Sequence, residues 1–312
     1  DRLVFERYFE AEDNARGRPL GRVAFKPDTQ HDMRSVSKSI VGLLYGIALA
    51  QGKVPPPDAP LYASFPEYPD LAADAARQAI TIHHVLTMTM GTDWDETSIP
   101  YSNPVNGEIA MDMAPDRYRY ILERRVIQEP GRHWNYSGGA TALLARLIAR
   151  GTGKPLHRFA REALFDPLGL GPTEWLADGK GDPFAASGLR MAPRDLARIG
   201  MTMADGGMMD GRAVIPAAWI RQVTTDFVSV DEQRRYGYQW YLGDFAYGKP
   251  AGWAAAHLER WWGCFGEGGQ RLFVLPNIKL AIAVTAGNYG TENQWMPPIR
   301  VVREVVLASL AA

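Results

Sequence analysis

From Leu3 to Ala11 (LVFERYFEA) apolar and polar side chains alternate, as they do in a strand with one buried face. A turn-forming stretch, NARGRPLG, separates this run from a second strand-like one at Arg22 to Lys26, so the two predict an antiparallel pair that begins a sheet. From Ser35 the period changes. Ile40, Leu43, Leu44 and Ile47 recur at helical spacing up to Gln51-Gly52, where glycine can end the helix. The stiff stretch VPPPDAP, Val54 to Pro60, is the first domain boundary the pattern suggests.

The middle third predicts helices at Ile82 to Met88, Asp116 to Arg125, Thr141 to Ala149 and Arg194 to Met203. Between the first two lies GTDWDETSIPYSNPVNGE, Gly91 to Glu108, too long and too rich in turn formers for a simple connector. Loops of that kind are usually functional rims or mobile segments. Strands return at Tyr236 to Leu242, Gln270 to Leu275 and Lys279 to Thr285, the last two joined by a hairpin at Pro276-Asn277. An amphipathic helix at Ile299 to Leu310 closes the chain. Strands at both ends around a helical centre predict an α/β (α+β) fold. Its sheet domain is discontinuous, 1–54 with 205–312, and a mostly helical domain, 55–204, is inserted.

Composition narrows the class. Of 312 residues, 46% are hydrophobic and 11% aromatic, enough for a large core and incompatible with disorder. Lys and Arg number 34 against 35 Asp and Glu, so there is no basic field to attract nucleic acid. No run reaches the roughly 18 to 20 apolar residues that span a bilayer; Ile40 to Ala50 is too short and carries Gly42 and Gly46. Cys264 stands alone and can make neither an internal disulfide nor a multi-thiolate metal site. The first residue is Asp1, which is compatible with export after leader removal and with the cytoplasm. Oligomeric state is not legible.

The segment RSVSKSIVGLLYG, Arg34 to Gly46, carries the first candidate chemistry. Ser35 and Lys38 are three residues apart at a helix start and project from one face. The positive end of the peptide dipoles favours developing charge on the serine oxygen. A hydroxyl needs a base, and a lysine serves if burial lowers its proton affinity. The alternative is a capping serine beside a solvated lysine. In PGRHWNYSGG, from Pro130, Tyr136 falls at the entry of a helix from about Gly138, where it either shares a proton with that pair or lines the core. In WWGCFGEGGQRLFVLP, Trp261 to Pro276, glycines precede a strong strand, as in a bend or in an edge that offers a backbone N–H. The six histidines are scattered apart from His83-His84, which points to no metal site.

In order, SVSKSIVGLL, HHVLTMTMGTDWDE, PGRHWNYSGG and FGEGGQRLFVLP resemble the serine β-lactamase and penicillin-binding-protein superfamily. The likeness is to the class C-like branch that includes 6-aminohexanoate-dimer hydrolases and family VIII-type carboxylesterases. The resemblance implies an antiparallel sheet flanked by helices, with the site in the cleft beside the helical domain. It implies Ser35 as nucleophile, neutral Lys38 as base and Tyr136 as proton shuttle. The N–H groups of Ser35 and Glu267 would form the oxyanion hole. Trp94, Trp134, Phe265 and Gly266 are the candidates for substrate contact, and no cofactor or metal is implied. Two positions depart from the family pattern: Gly138 replaces the asparagine of Tyr-x-Asn, and Cys264 replaces the cation of Lys-Thr-Gly. The expected substrate is therefore a small ester or short amide. D-amino-acid peptide or β-lactam hydrolysis, and a catalytically silent binding module, are the alternatives. The acidic group Asp93, Asp95 and Glu96 reads as an exposed loop or an amine contact.

Overall fold

Helix α1 (Val36–Ala50) is buried at every residue from Val36 to Ala48 in the computed structural model, which describes residues 2–247 and 257–310. A helix apolar on all sides belongs in a core. Its two glycines are what let neighbours reach it. A β-carbon on Gly46 would stand 2.0 Å from the Trp219 indole, and that indole N–H donates to the Gly42 carbonyl at 2.8 Å.

Among the described residues the strands form four antiparallel groups. A hairpin pairs β1 (Glu10–Ala15) with β2 (Arg18–Ala24), and a short sheet has the order β3 (His31–Asp32), β5 (Leu189–Met191), β4 (Glu174–Trp175). A minor hairpin joins β6 (Met208–Met209) to β7 (Arg212–Ala213). The main sheet runs in sequential order from β8 (Val228–Ser229) through β9 (Arg234–Tyr236), β10 (Tyr241–Tyr247), β11 (His257–Gly266) and β12 (Gln270–Leu275) to β13 (Leu280–Val284). Every residue of β12 is buried because both faces are covered. Leu272 and Val274 meet Gly200 of the Pro193–Ala204 helix. Phe273 and Leu275 pack with Phe245, Trp261, Val302 and Leu307, the last two from the C-terminal helical run. The protein is thus a mixed α/β fold built on antiparallel sheets, as the sequence predicts.

The predicted helices are observed at Ile82–Leu86, Arg117–Leu122, Gly138–Thr152 and Pro193–Ala204, and the hairpin joins β12 to β13. Two strand boundaries differ. Leu3, Val4, Phe5 and Phe9 are exposed and lie outside any strand. The hairpin instead turns at Arg16-Gly17, whose φ values of 49° and 85° suit a tight two-residue connection. The expected strand Tyr236–Leu242 is broken between β9 and β10, where Gln239 turns left-handed at φ 62°. Its buried side chain accepts from the Thr141 hydroxyl at 2.7 Å and donates to the Leu86 carbonyl at 3.2 Å. Among the described residues, no helix is long and apolar enough to cross a membrane.

Candidate active site

Ser35 stands where β3 turns into α1, and its neighbours fix it from two sides. The Met33 N–H donates to the Leu189 carbonyl at 2.9 Å. On the other side Gly266 lies against Met33, so closely that a β-carbon there would stand 2.3 Å from the Met33 carbonyl oxygen. Arg34, between them, has φ 48°, a left-handed conformation costing about 1 kcal/mol in a residue with a side chain. Strain of this kind persists where the surroundings over-determine it. The Ser35 hydroxyl makes no capping bond. It instead receives a hydrogen bond from Lys38 Nζ at 3.0 Å.

Lys38 is 2% exposed, and its Nζ also faces Glu96 Oε1 at 3.3 Å, Glu108 Oε2 at 3.4 Å and the Ala186 carbonyl at 3.3 Å. Those three acceptors and the Ser35 oxygen outnumber the two N–H groups of a neutral amine and suit an ammonium. Burial alone favours the neutral amine, but Glu96, Tyr136 and Glu108 outweigh it and hold the proton affinity well above that of ordinary lysine. The expectation of a resting neutral Lys38 is therefore corrected, because two carboxylates share its cavity.

The carboxylates differ from one another. Burial, then repulsion from Glu108, push Glu96 up to about 7. Glu108 is buried too, but Lys38 and Arg16 pull it down to about 2. Glu96 accepts from Trp94 Nε1 at 3.0 Å, from the Tyr101 hydroxyl at 3.1 Å and from the Gly138 N–H at 2.5 Å. Glu108 accepts from the Ser187 hydroxyl at 2.5 Å, and Arg16 reaches both Ser187 and Asp112 behind it. Asn106 places Glu108 by capping the Gly107–Met113 helix, accepting from the Glu108 N–H at 3.0 Å. Glu96 is 1% exposed, so the exposed-loop reading holds for Asp95 and fails for Glu96.

Tyr136 precedes the Gly138–Thr152 helix, which Ser137 caps by accepting from the Ala140 N–H at 3.1 Å. Asn135 anchors the approach, donating to the Trp94 carbonyl at 2.8 Å. Lys38 Nζ lies 4.7 Å from the centre of the Tyr136 ring. Burial raises the Tyr136 proton affinity, while Lys38 and the Ser35 hydroxyl partly oppose that shift. Trp134, Tyr241 and Phe265 continue the surface beside it: Trp134 is 5.8 Å from Tyr136 and 5.9 Å from Tyr241, and Tyr241 stacks on Phe265 at 4.8 Å. Trp94 is corrected from a substrate contact to a buried support, since its indole serves Glu96 and its ring packs on Gly107 and Gly139. Gly266 is explained by Met33. The β10–β11 pairing ends at Tyr241 and Gly263, so among the described residues Cys264 to Gly266 continue paired with β12 alone and leave one strand edge open. Glu267 lies just past that edge, its carboxylate accepting from the Gly290 N–H at 2.7 Å. Burial pushes the Cys264 thiol up, which leaves it a core residue.

Residues 1–297 match the family described as Beta-lactamase. The chain belongs to the beta-lactamase family. It is 26% identical over 260 residues to a 6-aminohexanoate-dimer hydrolase from Paenarthrobacter ureafaciens, a match covering 77% of this chain and 64% of that one. It is 28% identical over 176 residues to esterase EstB from Burkholderia gladioli, covering 54% and 43% respectively. The chain thus spans under two-thirds of the length of either relative. Among solved structures, EstCE1, a hydrolase with promiscuous acyltransferase activity, superposes with a TM-score of 0.69 at 16% identity, covering 93% of this chain and 90% of that one. A beta-lactamase from Mycobacterium bovis gives 0.62 at 18%, covering 97% and 94%. The relatives of this beta-lactamase-family protein are thus named as a 6-aminohexanoate-dimer hydrolase and an esterase.

Glu96 and Glu108 are the site residues that sequence reasoning missed as partners of the lysine. The available signal was the glycine at 138. A β-carbon there would stand 3.0 Å from both Glu96 Oε2 and Glu108 Oε2, so this beta-lactamase-family chain fills with carboxylates the space beside its missing side chain.

Proposed function

We propose that the protein is a serine hydrolase that cleaves a small ester or short amide through an acyl-enzyme on Ser35. The observation that carries the reading is the Ser35 hydroxyl, free of any capping duty and 3.0 Å from the nitrogen of a buried lysine. Ser35 attacks the carbonyl carbon and its proton passes into the Lys38 cluster. The oxyanion meets the Ser35 N–H and a second N–H at the open end of β11, which we assign to Glu267. Losing one such donor costs about 3 kcal/mol of transition-state stabilisation. Tyr136, whose ring centre lies 4.7 Å from Lys38 Nζ, returns a proton to the departing alcohol or amine, and water then releases the acid.

Trp134 and Phe265 form the apolar wall against which a substrate lies. The first relative's name supports an amide-type substrate and the second's an ester. Cys264, buried and uncharged, offers no cation to a β-lactam carboxylate at that position. In this reading the site lies between the two parts of the chain: 1–54 with 205–312 supplies Ser35, Lys38 and Glu267, and 55–204 supplies Tyr136.

Hydrolysis of p-nitrophenyl butyrate tests the reading. Ser35→Ala is expected to lose about 10³-fold or more in kcat, and nitrocefin to turn over far more slowly than the ester. An unaffected Ser35→Ala overturns the nucleophile; nitrocefin turnover matching the ester overturns the substrate class.

A further inference from the structure

The cavity around Lys38 holds more acid than a structural ion pair needs. One carboxylate would balance the ammonium, yet two reach it, at 3.3 and 3.4 Å. Their surroundings are unequal. Glu108 is fixed as an anion by the Ser187 hydroxyl and by Arg16 beyond it. Among the described residues, Glu96 has no cation besides Lys38 within ion-pair distance; its other partners there are an indole N–H, a phenol and a backbone N–H. Two carboxylates in one desolvated space repel one another, so the less supported one is the readier to accept a proton.

We infer that Glu96 is the proton acceptor that turns the Lys38 ammonium into a base, with Glu108 as the fixed counter-charge. The inference rests on the serine-hydrolase reading and deepens it. As the reaction begins, Lys38 gives one proton to the Glu96 carboxylate and its freed lone pair takes the proton of the Ser35 hydroxyl. The serine oxygen bonds to the carbonyl carbon. The lysine ends as it began, an ammonium, while Glu96 ends neutral. When Tyr136 donates to the leaving group it is refilled from Lys38, and Lys38 from Glu96, so the protons balance and none is drawn from solvent. Gly138 belongs to the same device. Any side chain there would enter the space that the two carboxylates hold, each at 3.0 Å from the β-carbon position. Glu96 and Glu108 act through Lys38 and are positioning residues.

The arrangement ties the rate to pH through groups on every element around Glu96. These are Lys38 of α1, Glu108 of the Gly107–Met113 helix, Tyr101 of its own loop, and Tyr136 before the Gly138–Thr152 helix. Arg16 and Asp112 act on it through Glu108. A Glu96 held up to about 7 is already protonated in acid and cannot receive from Lys38, so acylation gains an acid limb near neutrality.

The test is the pH dependence of kcat/KM for p-nitrophenyl butyrate in the wild type, Glu96→Gln, Glu96→Asp and Glu108→Gln. Folding is checked by circular dichroism, and Ser35 labelling by a fluorophosphonate is followed in parallel. Glu96→Gln is expected to lose about 10²- to 10⁴-fold, the range for a proton-transfer group, and to lose the limb near pH 7. Glu96→Asp restores the limb. Glu108→Gln removes the like charge and moves the limb to lower pH. A folded Glu96→Gln within about threefold of wild type with its limb in place overturns the inference, as does an unmoved limb in Glu108→Gln. Should Glu96→Gln fail to fold, Glu96→Asp and Glu108→Gln decide by the same criteria. Labelling of wild-type Ser35 keeps the hydrolase reading standing whichever way the limb behaves; its failure removes that reading instead.

Discussion

Gly266 and Met33 touch backbone to backbone: a β-carbon on the glycine would stand 2.3 Å from the Met33 carbonyl oxygen. This contact sets how far the end of β11 stands from Ser35, two residues after Met33. Gly266→Ala forces the end of β11 and the Met33 backbone apart. The expected outcome is a loss of about 1–3 kcal/mol of stability, as for other overpacked sites, measured by the urea midpoint. Ester hydrolysis falls at the same time, because the second oxyanion donor moves away from the nucleophile.

Gly138→Ala acts on the opposite side of the site. The new methyl meets Glu96 Oε2 and Glu108 Oε2 at 3.0 Å and Ala186 at 3.3 Å, so it displaces the carboxylates while helix and tyrosine stay in place. A displacement well under 1 Å at Lys38 is expected to lower kcat about 10- to 100-fold with little change in KM, read from steady-state kinetics on a p-nitrophenyl ester. A proportional rise in KM with unchanged kcat would mean that this glycine serves substrate binding instead.

Lys38→Met removes the cation and leaves two buried carboxylates facing one another. Breaking a buried charge cluster in this way costs about 3–5 kcal/mol. The urea midpoint should therefore fall steeply at pH 7 and recover part of the loss at pH 5, where protonation of the pair relieves the repulsion. A variant as stable as wild type at both pH values would show that the lysine is not the counter-charge of the pair.

Asp13, 5% exposed, lies 3.1 Å from His31 Nδ1, and His31 Nε2 faces the Tyr289 hydroxyl at 3.1 Å. The Tyr289 ring packs on Gly268, beside Glu267. The network ties the N-terminal hairpin to the turn after β11. Burial opposes ionisation of Asp13, but His31 reverses that effect and holds the carboxyl below its usual 3.8. A depressed carboxylate stabilises the fold above its unfolded value, and that stabilisation is lost as pH falls through the folded one. Asp13→Asn is therefore expected to cost about 1–3 kcal/mol at pH 7 and progressively less below pH 4, in urea titrations at the two pH values.

The parts of this protein that were legible in its sequence are those written locally. Ser35 and Lys38 declare themselves by their spacing on one helix, and Tyr136 by the helix entry that Ser137 caps. The apolar period of α1 and the glycines within it announce a buried helix. What failed to show was written at long range. Glu96 reads as one acid among three in a polar loop, and it is turned inward by the Trp94 indole and the Tyr101 hydroxyl together with the distant Lys38 and the Gly138 N–H, the latter 42 residues on. Glu108 depends in the same way on Ser187, which is 79 residues away. Alternation in Leu3 to Ala11 misplaced the first strand because the tight turn at Arg16-Gly17, not the apolar pattern, sets the register of that hairpin.

Intact-mass spectrometry after brief mixing with a p-nitrophenyl ester tests the central claim most directly. The account predicts a single added acyl group on the wild type, mapping by proteolysis to the peptide that holds Ser35, and no increment on Ser35→Ala. An acyl group mapped to any other residue, or release of p-nitrophenol by Ser35→Ala at the wild-type rate, would contradict it.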